Sequence, residues 1–246
     1  MTQSAVEIET PDGTCPAALS IPHGEGPWPA VILFPDAGGM RDTMRQMGER
    51  LSTLGYVVLV PDFYYRNGPY EPVDMKSAFS DKKSMEKIMA MMQGYTADKA
   101  VSDAAAFVDC LDSLPEKKPG GIGTTGYCMG GRLSLITAGS LGDRIAASAS
   151  FHGGGLAKAD NPSSPHHNAG AIRATVYVAG AIDDQSFTDE DKDLLEKSLT
   201  EAGVAHTIET YPARHGFAVP DNATYDEAAA ERHWQAMEQF FGSVLR

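Results

Sequence analysis

A glycine-rich hexapeptide near the middle of this chain, residues 126–131 (GYCMGG), constrains the fold more than any other stretch. The residues before it, 121–125, are rich in β-branched side chains and predict a short buried strand. The residues after it, 132–137, predict a helix. Glycines at a sharp turn let a strand and a helix approach closely, because they carry no β-carbon that would clash. The hexapeptide therefore predicts a strand, a tight turn and a helix in direct succession.

Cys128 occupies the middle of this turn, the position that serine takes in the G-x-S-x-G nucleophile elbow. Such a turn holds its middle residue in a strained and exposed backbone conformation. The following helix directs partial positive charge and free N–H groups at the sulfur, which favours a reactive thiolate. The motif predicts that Cys128 is a nucleophile rather than a buried structural cysteine.

Apolar runs and helical patterns alternate along the rest of the chain. Continuous apolar runs, typical of strands buried on both faces of a sheet, occupy residues 30–34, 56–60, 145–151 and 174–179, with a last strand at 206–211. Residues 6–10 and 17–21 predict an antiparallel edge hairpin. Helical patterns cover residues 43–54, 85–92, 97–114 and 188–202, and a terminal helix runs from a capping box at 224–227 to about 244. This alternation predicts an α/β fold, a mostly parallel twisted sheet with helices on both faces, formed as a single domain by residues 1–246.

Charge and cysteine content restrict the class of protein. The formal net charge of −13 argues against binding to nucleic acid or to an anionic membrane surface. The three cysteines lack the close spacing of a disulfide framework and fit a reducing compartment. The first residues lack the pattern of a signal peptide, and the longest apolar runs are too short to span a bilayer. We therefore expect a cytoplasmic protein that binds a small molecule, with no nucleic-acid or membrane partner.

A thiol nucleophile requires a base, and the base requires an orienting group. Two candidate segments follow predicted parallel strands, so they reach the same edge of the sheet as Cys128. Asp183 and Asp184 follow one strand, and His215 follows the last. The order of nucleophile, acid and histidine along the chain is that of α/β-hydrolases. We predict His215 as the base and Asp184 as the orienting acid, with Asp183 as the alternative.

Acyl transfer also requires N–H donors for the developing oxyanion. One is the backbone N–H of the residue after the nucleophile, Met129, and the other comes from the loop after an earlier strand, where Ala37 is the candidate. His152 ends another strand at the same edge of the sheet, where it lines the pocket or is a satisfied loop histidine. This chemistry needs no metal ion and no organic cofactor.

In this order, these segments resemble the dienelactone hydrolase family of α/β-hydrolases over nearly the whole chain. The resemblance rests on residues 126–131 with their cysteine, residues 61–66 (PDFYYR) after a buried strand, Asp184 after a strand, and residues 215–217 (HGF). It implies a monomer or weak homodimer that opens an ester or lactone bond through an acyl-enzyme. Two alternatives remain: a thioesterase or general carboxylesterase on the same scaffold, and a non-catalytic binding or redox-sensing protein.

The resemblance also implies a partner for the thiol. In characterised lactonases of the family, a glutamate in the first oxyanion loop holds the thiol until substrate binds. The matching position here is Asp36, whose side chain is one methylene shorter. Asp36 is therefore expected either to hold the thiol of Cys128 or to serve as a turn residue.

Those lactonases bind a substrate carboxylate with two arginines. Arg66 resembles the first, and its neighbour Tyr65 is a further candidate for substrate binding. The position that resembles the second holds Val219, so Arg41 and Arg214 are the candidates to replace it. The methionine-rich residues 68–95 are expected to cover the pocket or to pack in the core.

Overall fold

The computed structural model describes residues 1–78 and 80–246, and its centre is an eight-stranded sheet. The strands are β1 (Thr2–Thr10), β2 (Gly13–Ile21), β3 (Ala30–Phe34), β4 (Val57–Pro61), β5 (Ile122–Tyr127), β6 (Ile145–Phe151), β7 (Thr175–Ala181) and β8 (His206–Tyr211). Their spatial order is β1-β2-β4-β3-β5-β6-β7-β8. β1 and β2 pair with antiparallel neighbours, whereas all strands from β4 to β8 in this spatial order are parallel. The predicted mostly parallel sheet is confirmed.

Helices cover both faces of this sheet. They are α1 (Asp42–Thr53), α2 (Lys82–Gly94), α3 (Ala97–Asp112), α4 (Met129–Leu141), α5 (Asp189–Glu201) and α6 (Glu227–Val244). On one face, Leu51 of α1 and Phe241 of α6 are buried in one apolar cluster. On the other, Phe107 of α3, Leu133 of α4 and Leu195 of α5 are buried in a second. The core is therefore divided by the sheet into two layers, as the alternation of apolar runs and helices predicts.

Two local predictions need correction. The edge hairpin is longer than predicted: its strands begin at Thr2 and Gly13 rather than at residues 6 and 17, because backbone pairing continues where most of the added side chains are exposed. The terminal helix does not begin with a capping box at Thr224: the side chain of Asp226 caps it by accepting a hydrogen bond of 2.9 Å from the N–H of Ala229. Within residues 1–78 and 80–246, no helix combines the length and the apolar character needed to cross a membrane.

Candidate active site

Cys128 lies at the sharp turn between β5 and α4, as the hexapeptide predicts. Its φ of 53° and ψ of −114° form a backbone conformation that L-amino acids rarely adopt. Glycines make this turn possible: a β-carbon on Gly126 would lie 2.2 Å from the carbonyl oxygen of Gly130. A β-carbon on Gly130 would itself lie 2.2 Å from the carbonyl oxygen of Phe34 in β3. Close backbone packing therefore holds the cysteine at the N-terminus of α4.

His215 and Asp184 meet at the same edge of the sheet. Asp184 follows β7 and His215 follows β8, and these two strands are parallel neighbours. His215 Nδ1 lies 2.8 Å from Asp184 Oδ2. Asp184 Oδ1 accepts hydrogen bonds from the N–H and the hydroxyl of Ser186 at 2.8 and 2.6 Å. Asp183 is exposed, so the geometry favours Asp184 as the partner of the histidine.

Charge around this pair alters its protonation. Burial opposes ionisation of Asp184, but the hydrogen bonds from His215 and Ser186 outweigh it and hold the pKa of Asp184 below its usual value. Burial also opposes the imidazolium form of His215. The negative charge of Cys128 and the hydrogen bond to Asp184 outweigh this effect and raise the pKa of His215 to about 10. Because Nδ1 is engaged by Asp184, Nε2 is the ring nitrogen left for the thiol.

We expect the imidazole of His215 to titrate near pH 10 in a heteronuclear NMR titration, with His215→Asn identifying its resonances. Cys128→Ala should lower this pKa, because the neighbouring negative charge is removed, whereas Cys110→Ala, on α3, should leave it unchanged. The pKa in the folded state exceeds the unperturbed value of 6.5. The stability from this pairing is thus complete below pH 6.5 and is lost as the pH rises through about 10. Titration near pH 6.5 in the unmodified protein would contradict the proposed ion pair.

A cavity of about 730 Å³ opens above these side chains. Cys128 and His215 line its floor, and Ile182 with Met89 and Met92 of α2 line it with apolar surface. The methionine-rich residues 68–95 therefore both cover the cavity, through Met89 and Met92, and pack in the core, through Met75 and Met91. Residue 79 lies outside the described chain. Such a cavity fits a substrate with an apolar body.

Both candidate oxyanion donors reach this cavity. Ala37 and Met129 line it together with Cys128. The N–H of Met129 belongs to the first turn of α4, where a helix supplies no acceptor of its own. Tyr64 links the two loops, since its hydroxyl lies 3.3 Å from both the carbonyl oxygen of Ala37 and the sulfur of Met129. The placement suits an oxyanion hole, and the role of these donors stays a prediction.

The expectation that Asp36 holds the thiol does not fit the structure. Asp36 is buried, and its two oxygens accept hydrogen bonds from the guanidinium of Arg41 at 2.7 and 2.8 Å. The N–H of Gly38 also donates to this carboxylate. Arg41 is bound in turn by Asp221, at 2.7 and 2.9 Å. Asp36 is therefore a turn residue within a buried ion-pair network, and Arg41 is not free to bind a substrate.

Arg66 and Tyr65 also lie outside the cavity, which corrects their prediction as substrate-binding residues. Arg66 makes a two-pronged ion pair of 2.7 Å with the buried carboxylate of Asp103 and a further one with Asp12. The hydroxyl of Tyr65 bonds to Asp103 and to Thr10. The sequence pattern did not reveal Asp103, an acid on α3 that satisfies both side chains.

His152 lies beneath the cavity and does not line it. Its ring is 1% exposed and packs against the rings of His215 and Phe217 at centroid distances of 5.1 and 5.0 Å. Burial and the neighbouring charge of His215 hold the pKa of His152 well below its usual value, so it is neutral. Val219 is likewise fully buried in the core rather than in the cavity.

Sequence reasoning missed three residues that complete the site. Ser186 binds Asp184, and its place two residues after an aspartate at a strand end is a pattern that could have indicated it. Thr224 donates a hydrogen bond from its hydroxyl to the carbonyl oxygen of His215, a contact that no local pattern indicates. Arg132 lines the cavity from α4, and its position four residues after Cys128 was the available signal.

A parallel sheet whose strand ends supply a cysteine at a tight turn, an acid and a histidine, in this chain order, defines a hydrolase of the α/β-hydrolase fold. A family model described as "Dienelactone hydrolase family" matches residues 15–245, and the chain belongs to the dienelactone hydrolase family.

Individual relatives agree with this assignment. A protein of Synechocystis sp. named "Putative carboxymethylenebutenolidase" is 30% identical, over 93% of this chain and 91% of its own length. A crystal structure of a "Putative Dienelactone Hydrolase" from Klebsiella pneumoniae shares the fold with a TM-score of 0.83 at 22% identity, over 98% of this chain and 99% of that one. A dienelactone hydrolase-like promiscuous phosphotriesterase from metagenomic libraries matches with a TM-score of 0.81 at 25% identity, over the full length of both chains.

Proposed function

We propose that this protein hydrolyses carboxylic esters or lactones through a thioester formed on Cys128. The observation that carries the proposal is the 2.8 Å pair of His215 and Asp184 on the floor of the cavity that Cys128 also lines. A thiolate beside an imidazolium is an activated nucleophile, and the carboxylate keeps the ring in the orientation that proton transfer requires.

In the first step the thiolate of Cys128 attacks the carbonyl carbon, and a carbon–sulfur bond forms. The N–H groups of Met129 and Ala37 stabilise the negative charge that develops on the carbonyl oxygen. The bond to the alkoxy oxygen then breaks, and the imidazolium of His215 gives its proton to the leaving alkoxide. In a lactone this alkoxide stays attached to the acyl group, so the ring opens.

In the second step water releases the acyl group. The thioester carries no negative charge on sulfur, so the effect that raises the pKa of His215 in the free enzyme is partly removed. The neutral imidazole can then take a proton from water, whose oxygen attacks the thioester carbon. The carbon–sulfur bond breaks, and the thiolate–imidazolium pair forms again. The hydrogen bond to Asp184 keeps the imidazole of His215 in one tautomer throughout both steps.

The test is to detect the acyl-enzyme directly. We expect rapid quenching with p-nitrophenyl butyrate, followed by intact-mass measurement, to show one added butyryl group, which peptide mapping places on Cys128. The Cys110→Ala variant should give the same adduct, because this cysteine lies on α3 outside the cavity. Turnover without any adduct on Cys128, or an adduct on another residue, would contradict the mechanism.

A second candidate is a general carboxylesterase or thioesterase on this scaffold. The observation in its favour is that Arg66 and Val219, at the two positions that resemble the carboxylate-binding arginines, both lie outside the cavity. Comparing kcat/KM for enol-lactones, aryl esters and acyl thioesters separates the candidates. A clear preference for the lactones supports the lactonase, and preference for one of the other two groups supports the second candidate.

A further inference from the structure

Arg132 is a partly buried cation that lacks an acidic partner among the described residues. Its guanidinium lines the cavity, and its Nε is inaccessible and makes no hydrogen bond with any residue of 1–78 or 80–246. The same residues supply no carboxylate that forms an ion pair with it. Burial is the main cause that holds the pKa of Arg132 below its usual value, although the side chain remains charged at neutral pH.

The other two arginines that are largely buried have acidic partners. Arg41 is bound by Asp36 and Asp221, and Arg66 is bound by Asp103 and Asp12. Removing a charge from water without a partner is unfavourable, so buried arginines are normally paired. Arg132 departs from this rule at the wall of the cavity that holds the nucleophile, and a ligand is therefore the expected partner.

The helix directs this guanidinium toward the reacting sulfur. Arg132 lies one turn of α4 after Cys128, and side chains on a helix point back toward its N-terminus. The two groups are close enough for the charge of Cys128 to affect the pKa of Arg132. Gly155 borders the guanidinium, since a β-carbon there would lie 3.5 Å from Nη1. One helical turn is about 5.4 Å, which sets the scale of the distance between the two groups.

The rest of the cavity is suited to apolar groups. Met89, Met92 and Ile182 line it, so a ligand can bury an apolar body while its charged group reaches the guanidinium. The protein carries a formal net charge of −13, which disfavours anions at long range. An anionic substrate therefore needs a local cation. Arg132 provides a partly buried one at the cavity wall, and Arg214, a candidate from the sequence, also lines the cavity but is exposed.

We propose that Arg132 binds an anionic group of the substrate, so that the preferred substrates are esters or lactones with an apolar body and a carboxylate or similar anion. This anion lies about one helical turn from the scissile carbonyl, on either its acyl or its alkoxy side. The inference rests on the proposed function, because it assigns the substrate class of the same cavity. A planar guanidinium can bind a carboxylate through two parallel hydrogen bonds, which makes Arg132 a residue that determines specificity.

The test compares substrates that differ only in charge. One pair is meta-carboxyphenyl acetate and meta-carbamoylphenyl acetate, and a second is p-nitrophenyl adipate with its terminal carboxylate free or converted to the amide. We expect Arg132→Gln to lower kcat/KM for the carboxylate member of at least one pair about 30- to 100-fold, mainly through KM. The amide member should lose much less, because it loses only the stabilisation that the guanidinium gives to the thiolate of Cys128. Arg132→Lys should give an intermediate loss of kcat/KM, because the positive charge remains but the planar guanidinium that can donate two parallel hydrogen bonds is lost.

Controls separate this effect from general ones. Arg173→Gln removes the same charge from a side chain that lies outside the cavity, and it should leave both members of each pair unchanged. Calorimetry measures how tightly the carboxylate member of each pair binds to the Cys128→Ala variant and to the Cys128→Ala/Arg132→Gln double variant. This readout does not depend on turnover. Equal loss for carboxylate and amide, or no loss for either, would overturn the assignment of Arg132.

The outcomes also separate this inference from the function on which it rests. Hydrolysis of the amide esters by the unmodified protein, lost in Cys128→Ala, supports the esterase mechanism whatever Arg132 binds. If the unmodified protein hydrolyses the amide esters but Arg132→Gln does not change kcat/KM for the carboxylate esters, only the anion site is overturned. Failure to hydrolyse any of the four compounds counts against both.

Discussion

Replacing Cys128 by alanine is expected to lower kcat/KM for activated aryl esters about 10⁴-fold or more, because the hydroxyl groups of Ser186 and Thr224 at the cavity donate to Asp184 and to the carbonyl oxygen of His215 instead. The free energy of unfolding should change little. Alanine keeps the β-carbon of the residue, so it introduces no new clash at φ 53°, and the backbone hydrogen bonds of the turn remain. Rates of p-nitrophenyl ester hydrolysis and a urea unfolding curve measure the two quantities.

Cys110→Ala is the matched control for this substitution. It removes the same thiol from a half-buried position on α3 and should retain the activity of the unmodified protein. Substantial hydrolysis by Cys128→Ala would remove the proposed nucleophile. Loss of hydrolysis in Cys110→Ala would show that a thiol outside the cavity contributes, which the mechanism does not allow.

Replacing Gly130 by alanine is expected to give the largest loss of stability, about 3 kcal/mol or more in the free energy of unfolding. Its β-carbon would lie 2.2 Å from the carbonyl oxygen of Phe34 and 2.4 Å from that of Pro35. These are backbone atoms, so no side-chain rotation relieves the overlap. The helix must move away from β3, which also displaces the loop that carries Ala37. We therefore expect the rate of ester hydrolysis to fall in parallel.

Gly242→Ala provides a control of the same chemical size. Gly242 lies in α6, and a β-carbon there meets no atom within 4 Å. Alanine at a helical position of this kind typically stabilises by up to about 1 kcal/mol. Urea unfolding of both variants tests the contrast. An equal midpoint for Gly130→Ala and the unmodified protein would show that β3 and α4 do not approach as closely as described.

Local sequence patterns were sufficient for the architecture and for the placement of Cys128, Asp184 and His215 at one edge of the sheet. Apolar runs predict the buried strands, and the hexapeptide predicts the turn at Cys128, because each depends on neighbours in the chain. The pairing of Asp184 with His215 spans 31 residues, yet it also follows from the sequence. Parallel strands end at one edge of a sheet, so residues that follow such strands converge without further information.

Side-chain pairing between distant elements could not be predicted in the same way. Asp36 has its carboxylate taken by Arg41, and Arg41 is also bound by Asp221, 180 residues away. Arg66 forms an ion pair with Asp103, an acid that nothing in the helical pattern around it singles out. A resemblance of position indicates which residue type stands at a place. Such a resemblance does not indicate which oppositely charged side chain the fold brings beside that residue.

The sequence by itself determined the sheet, the strained turn that presents Cys128, and the order in which acid and histidine reach it, since these depend on local periodicity and on chain direction. Only the tertiary structure decided which arginine is available to a ligand. Arg41 and Arg66 are paired with acids from other parts of the chain, whereas Arg132 and the more exposed Arg214 line the cavity without such a partner among the described residues. The physical reason is that the availability of a charge depends on what surrounds it in space, which folding alone establishes.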